Sequence, residues 1–194
     1  MITYVSYATP RYYGELEQLL ASADAVGVPC LGHRVPDRGS WEANTRYKAE
    51  FLYDVLETLR EPIVWVDADA RFRQRPILFD TLRNKVHLAV HFRQDAFTKK
   101  RGLEEELLSG TMYWEPCTAT FELLEVWRAE NQRNWNQWEQ RNLQDLLKDP
   151  RFAHLKVHRL PKEYCLISGT DRGAMGLPEE AVIEHTQASR RLKS

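Results

Sequence analysis

The chain has 194 residues, 43% hydrophobic and 28% charged; this ordinary globular composition excludes disorder as the default and allows one domain with a sizeable core over residues 1–194. Its formal net charge of −1 excludes the overall basic excess by which many nucleic-acid-binding proteins hold their partner, and leaves only local patches for that purpose. Three dispersed cysteines, Cys30, Cys117 and Cys165, exclude a disulfide framework or a C-x-x-C zinc site; with no secretory leader and no window near the ~20 apolar residues of a membrane helix, the chain reads as cytoplasmic, without an integral membrane segment.

Ile2 to Ser6 is short and rich in β-branched and aromatic residues, so it reads as a strand, broken by Tyr7-Ala8-Thr9-Pro10. Leu16, Leu19, Leu20, Ala23 and Val26 recur at helical spacing, and Gly27 closes that helix. Val28 to Val35 reads as a second strand, followed by the turn-rich Pro36-Asp37-Arg38-Gly39-Ser40. Asn44 or Thr45 caps the next helix, whose stripe is Tyr47, Phe51, Val55 and Leu59. Ile63-Val64-Trp65-Val66 is a continuous apolar run of strand length, suited to a strand covered on both faces. Val86 to Phe92 is the next strand. A charged stretch from Lys99 to Glu106 leads into Leu107 to Trp114, interrupted at Ser109-Gly110. Helices follow over Thr118 to Asn131 and Trp138 to Leu147, with late strands near Leu155 to Leu160 and Ala181 to His185. The basic tail from Arg190 to Ser194 reads as mobile. Strand and helix alternate in the first half, which points to an α/β sheet that is largely parallel.

Asp67-Ala68-Asp69 is the most informative segment. It ends the most apolar strand, and ligands of open α/β sheets bind outside the carboxyl ends of the strands. One Asp there is an ordinary polar residue at a strand end. Two carboxylates at i and i+2 repel one another, and a cation between them relieves that repulsion. Mg²⁺ and Mn²⁺ take one or two carboxylates and fill their remaining positions with water and substrate phosphates. The pair therefore implies Mn²⁺ or Mg²⁺, and the ion implies a diphosphate.

Ile63-Val64-Trp65-Val66-Asp67-Ala68-Asp69 resembles the D-x-D strand of GT-A fold glycosyltransferases, and the likeness extends along most of the chain. Tyr7-Ala8-Thr9 is similar to the segment that holds the nucleoside in such enzymes. Arg46-Tyr47-Lys48 resembles the helix that faces the donor, and Pro76 also fits the pattern. Leu108-Ser109-Gly110-Thr111-Met112 resembles the small-residue strand bordering the sugar pocket. Trp138-Glu139-Gln140-Arg141-Asn142-Leu143 resembles a W-x-D-Q-x-x-L segment, with Glu139 on a longer arm where relatives often carry Asp. Leu160-Pro161 with Tyr164 resembles the L-P-x-x-Y that follows it. Ile183-Glu184-His185-Thr186-Gln187 resembles a late strand whose His completes the metal shell. These pieces occur in the family's order. The resemblance implies a single GT-A (Rossmann-like) domain, a central mostly parallel sheet flanked by helices, and a nucleotide-diphosphate sugar donor, with UDP the common carrier.

It also implies roles. Asp69 binds the metal directly, Asp67 binds it through water or holds the ribose, and His185 donates a ring nitrogen. The alternative for a lone His is a buried ring satisfied by backbone. Tyr7 and Thr9 hold base and ribose, with a core aromatic as the alternative for Tyr7. Lys48 or Arg46 neutralises a phosphate. Ser109 and Gly110 let the sugar approach the backbone, although a bulge is equally compatible. Glu139 and Gln140 contact the sugar as catalytic residues. Trp127, Trp135 and Trp138 offer a sugar-stacking stripe, with Trp127 inclined to the core.

The family pattern leans toward retention of configuration. A sugar nucleotidyltransferase or a carbohydrate-binding protein without turnover are the alternatives; the first is disfavoured because no glycine precedes Gly14 where a phosphate-binding loop would open. Asp67 and Asp69 are too close for a glycoside hydrolase, which needs its carboxyl groups ~5–9 Å apart. The acceptor is a glycan, a lipid-linked sugar, a protein or a modified DNA base. Lys99-Lys100-Arg101 and Arg71, Arg73, Arg75 are solvated faces or guides for an anionic acceptor.

Overall fold

The computed structural model describes residues 2–169 and 173–192. Its strands are β1 (Thr3–Ala8), β2 (Cys30–Arg34), β3 (Ile63–Val66), β4 (Ala70–Phe72), β5 (Leu88–Arg93), β6 (Glu106–Trp114), β7 (Val157–Arg159), β8 (Leu166–Ile167) and β9 (Ile183–His185). Its helices are α1 (Tyr13–Ala25), α2 (Trp41–Arg46), α3 (Lys48–Leu59), α4 (Ala96–Lys100), α5 (Thr118–Arg133), α6 (Glu139–Leu146) and α7 (Ser189–Leu192).

Six strands form the central sheet in the order β2-β1-β3-β6-β5-β7. β1 runs parallel to β2 and β3, and β5 runs parallel to β7. β6 runs antiparallel to both β3 and β5. A second sheet has the order β4-β9-β8. The largely parallel α/β architecture expected from the alternation is therefore present, with β6 as its reversed strand.

Side chains of a strand alternate between faces, and in β3 both faces are covered. Ile63 and Trp65 join Leu52 and Leu56 of α3 and Leu123, Leu124 and Trp127 of α5 on one side. Val64 and Val66 join Leu16 and Leu19 of α1, with Phe72 and Ile183 of the second sheet, on the other. All four β3 residues are buried, which is why this run carries no polar alternation. Trp114 and Trp127 stack with ring centroids 6.1 Å apart, so Trp127 belongs to the core.

Three local features refine or depart from the sequence expectation, and each bears on the cleft. Helix begins earlier than Asn44, at Trp41, because Ser40 caps it by accepting the Ala43 N–H. Asn44 instead ties the preceding loop, its Oδ1 accepting the Arg38 N–H at 2.8 Å and its carbonyl accepting the Tyr7 hydroxyl at 2.6 Å. The interruption at Ser109-Gly110 is a bulge inside a continuous β6. Val90 pairs with Met112 and His91 with Leu108, so residues 109–111 stand out from β5. The basic tail is in part a helical turn, α7; Lys193 and Ser194 lie outside the described residues. No described helix is long and apolar enough to cross a membrane.

Candidate active site

A cleft of about 490 Å³ opens at the carboxyl ends of β1 and β3. The bulge of β6, the end of β9 and the N-termini of α3 and α6 form part of its walls.

The Asp67-Ala68-Asp69 turn is fixed by backbone bonds. The Asp67 N–H donates to the Gly110 carbonyl at 2.8 Å, and the Asp67 carbonyl accepts the Ala70 N–H at 3.0 Å. This turn sends the chain back into β4, where Ala70 pairs in register with His185 of β9. The register delivers the imidazole to the two carboxylates. One ligand atom each from Asp67, Asp69 and His185 lies within 4.8 Å of the others.

His185 is buried and held from three sides. Thr111 Oγ1 lies 2.9 Å from Nε2, and Asp69 Oδ1 lies 3.8 Å from Nδ1. With Nε2–H donating to Thr111, Nδ1 is the nitrogen turned toward the carboxylates. The third side is Gly110, where a Cβ would stand 2.7 Å from Cε1 of the ring. Burial works against the imidazolium, yet Cys165 and Asp69 outweigh it and hold the His185 pKa above its ordinary value, so a metal ion taking Nδ1 would displace a proton. Burial also raises the Asp67 carboxyl, against the pull of Lys48 and with the help of Asp69. Asp69 goes the other way: burial acts to raise it, but His185 and the Ala188 N–H, 2.8 Å from Oδ2, hold it below its ordinary value. Two carboxylates and one imidazole around a shared space form a donor set that fits Mn²⁺ or Mg²⁺.

Behind this triad sits a buried charge network. Lys48 Nζ lies 3.0 Å from Asp67 Oδ1 and 3.1 Å from Glu139 Oε1, and donates to Ser109 Oγ at 3.1 Å. Ser109 in turn donates to Glu139 Oε1 at 2.7 Å. Lys48 opens α3, where the helix dipole disfavours a cation; Glu139 opens α6, where it favours an anion. Burial disfavours the ammonium, but the two carboxylates outweigh it and hold Lys48 above its ordinary value. Trp65 Nε1 donates to Asp67 Oδ1 at 2.9 Å, so that oxygen is oriented from within the sheet.

The structure brings Tyr7, Thr9, Lys48, Asp67, Asp69, Ser109, Gly110, Glu139, Gln140 and His185 to this one cleft. It leaves Arg46 out. The Arg46 guanidinium donates to the Trp135 carbonyl, in the segment between α5 and α6. Tyr7 presents an edge to the cleft while its ring packs among Tyr47, Phe51 and Trp65, so it is a core aromatic as well as a wall. The space in front of Gly110 belongs to His185, which gives the missing Cβ a role inside the protein. Lys48 is already neutralised by Asp67 and Glu139.

Sequence reasoning missed Arg93 and Arg190, both of which line the cleft. Arg93 is buried, pairs with Asp95 at 2.7 Å and donates to the Gly173 carbonyl at 2.8 Å. A signal for it was present: Asp95 caps α4 in a D-x-x-T box with Thr98. Arg190 lay in the segment read as a mobile tail.

Residues 32–184 match the family model described as nucleotide-diphospho-sugar transferase. Among solved structures, the chain is similar to a glycosyltransferase involved in the glycosylation of the major capsid of PBCV-1, at 14% identity and a TM-score of 0.68, covering 96% of this chain and 92% of that one. It is also similar to the glycosyltransferase GlyE of Streptococcus pneumoniae TIGR4, at 14% identity and a TM-score of 0.65, covering 94% of this chain and 53% of that one. No curated protein matches it in sequence. The sheet order and the D-x-D turn agree with the GT-A type of fold, and the family match spans most of the chain: it belongs to the nucleotide-diphospho-sugar transferases, a family of glycosyltransferases.

Proposed function

We propose that the chain transfers a sugar from a nucleoside-diphosphate donor, UDP being the first carrier to test, with Mn²⁺ or Mg²⁺ held by Asp67, Asp69 and His185. The observation that carries this reading is the convergence of those three side chains, from the turn after β3 and from β9, on one space at the cleft. A divalent ion bound there would neutralise the diphosphate as it departs.

The chain's own residues supply the rest. Leaving-group charge also needs a cation from the protein. In the cleft, Lys48, Arg93 and Arg101 each face a carboxylate, Asp67 and Glu139, Asp95, and Glu106 respectively. Arg190 has no carboxylate partner among the described residues, and we assign it the diphosphate. Ser109, Glu139 and Gln140 line the side where the sugar would lie, with Glu139 held rigid by Lys48 and Ser109.

The same tally of charges supports retention. An inverting transferase needs a carboxylate free to take the acceptor's proton. The cleft's described carboxylates are Asp67 and Asp69 at the metal site, Glu106 paired with Arg101, and Glu139 paired with a buried ammonium. Among the described residues none is uncommitted, which favours a reaction in which the departing phosphate oxygen takes the proton on the sugar's own leaving face.

The test is release of nucleotide from a panel of UDP-, GDP- and TDP-sugars, with Mn²⁺ and with chelator, for the wild type and Asp69→Ala. We expect metal-dependent release from one donor, lost in the variant. Metal-dependent UDP binding with no release, even with acceptors supplied, would favour a binding protein instead.

A further inference from the structure

Beside the cleft lies a second hollow of about 600 Å³; the two share Arg101, Glu106, Trp138 and Gln140. Its rim is the segment 134–138, between α5 and α6. Two indoles stand out from that segment, Trp135 67% exposed and Trp138 49% exposed. Large apolar rings left in water beside an active-site cleft are the surface a ligand covers.

The segment is tied down. Arg46 donates to the Trp135 carbonyl, and Asn131 Nδ2 donates to the Arg46 carbonyl at 3.4 Å. Asn142 Nδ2 donates to Asn131 Oδ1 at 2.9 Å, and Gln137 Nε2 donates to Asn142 Oδ1 at 2.8 Å and to Asp145 Oδ2 at 2.9 Å. An aromatic platform held in place before its ligand arrives loses little entropy on binding.

Charge selects the ligand class. Arg101, Arg133 and Arg141 line the hollow and at first suit a polyanion. Each already faces a carboxylate: Arg101 with Glu106 at 2.9 Å, Arg133 with Glu130, and Arg141 with Asp145 at 3.3 Å. The hollow is therefore close to neutral, and a nucleic-acid backbone would have to break those pairs to gain its contacts. A pyranose ring fits the surface better. Its C–H face packs on an indole, and its hydroxyls reach the amides of Asn136 and Gln140, which make no side-chain hydrogen bond among the described residues.

We propose that this hollow is the acceptor site and that the acceptor is a neutral oligosaccharide, with Trp138 at the junction with the donor cleft and Trp135 stacking on a more distant sugar unit. The proposal rests on the transferase reading above. Two measurements on the intact wild-type protein separate them: calorimetry with UDP and Mn²⁺ tests the donor site alone, and an array of neutral and acidic oligosaccharides, with a DNA duplex as a further probe, tests the hollow alone. We expect neutral oligosaccharides to give the strongest signals and those signals to fall about tenfold or more in Trp135→Ala and in Trp138→Ala. Both indoles are exposed, so the variants should keep the wild-type melting temperature, and that is measured alongside. Absence of any neutral-glycan signal, signals that survive both substitutions, or a preference for DNA that falls steeply with salt would each overturn the proposal, whatever UDP does.

Discussion

Gly110 and His185 occupy one another's space: a Cβ added to Gly110 would lie 2.7 Å from His185 Cε1 and 3.0 Å from Nδ1. The glycine of the bulge and the histidine of β9 are 75 positions apart in sequence and form one fitting. The Gly110 backbone is not in the left-handed region, so alanine is allowed there by conformation and refused by contact. Gly110→Ala should push the ring off its Thr111 hydrogen bond. Misplacing such a ligand typically costs ~10–100-fold in metal affinity, and overpacking costs ~1–3 kcal/mol of stability. A Mn²⁺ titration followed by electron paramagnetic resonance reads the first, and urea unfolding the second. Wild-type Mn²⁺ affinity in Gly110→Ala would mean that the ring's seat is unrelated to metal binding.

The Lys48 network makes a different prediction. Lys48→Met would leave Asp67, Glu139 and Ser109 facing one another without their cation, and breaking a buried ion pair from one side costs ~3–5 kcal/mol. Glu139→Gln removes one of the stranded charges. The double variant Lys48→Met/Glu139→Gln should therefore be more stable than the sum of the two single losses, by ~1 kcal/mol or more. Urea denaturation of the four proteins measures this coupling. Additivity within ~0.5 kcal/mol would show that the two charges do not depend on each other.

What could be read from the chain before folding follows a physical line. β3 was legible because four apolar residues, buried on both faces, run straight into two carboxylates. β4 and β8 were not, since three and two residues carry no period; they exist because β9 pairs with both. The reversal of β6 has no composition of its own either. Among site residues, the carboxylates and His185 were legible because their chemistry is scarce and their order familiar. Arg46 and Lys48 were not separable, because two cations on one short stretch look alike until packing sends one to Trp135 and encloses the other between Asp67 and Glu139. The Gly110 side of the pocket could be seen as a place for small residues, but only the fold says that the neighbour is an imidazole.

Far from the cleft, Arg60 ends α3 in the left-handed region at φ 53°. The position is the one where glycine commonly terminates a helix, and a side chain there costs ~1 kcal/mol. The local ion pair with Glu57, 3.7 Å away and exposed, offsets little of that. Arg60→Gly should raise stability by ~0.5–1 kcal/mol in chemical denaturation and leave donor hydrolysis as it was. A destabilised variant would mean that the Arg60 side chain, which lies over the Phe121 ring at 5.7 Å, contributes more packing than the strain costs.

Asp95 makes one pH-dependent contribution to stability. Burial alone would raise its carboxyl, but Arg93 and the N–H groups of Phe97 and Thr98 outweigh burial and hold it below the ordinary 3.8. A carboxyl depressed by folding stabilises the native state above its unfolded pKa, and that contribution disappears as pH falls through the lower folded value. Asp95→Ala removes the cap of α4 and the partner of Arg93, a loss of ~1–2 kcal/mol at neutral pH by the usual worth of such caps. In acid below the folded value the wild-type carboxyl is protonated too, so the gap between the two proteins should narrow. Urea unfolding of both, at neutral pH and at about pH 3, gives the comparison. A gap that stays constant across that range would assign the stabilisation to packing of the side chain and not to its charge.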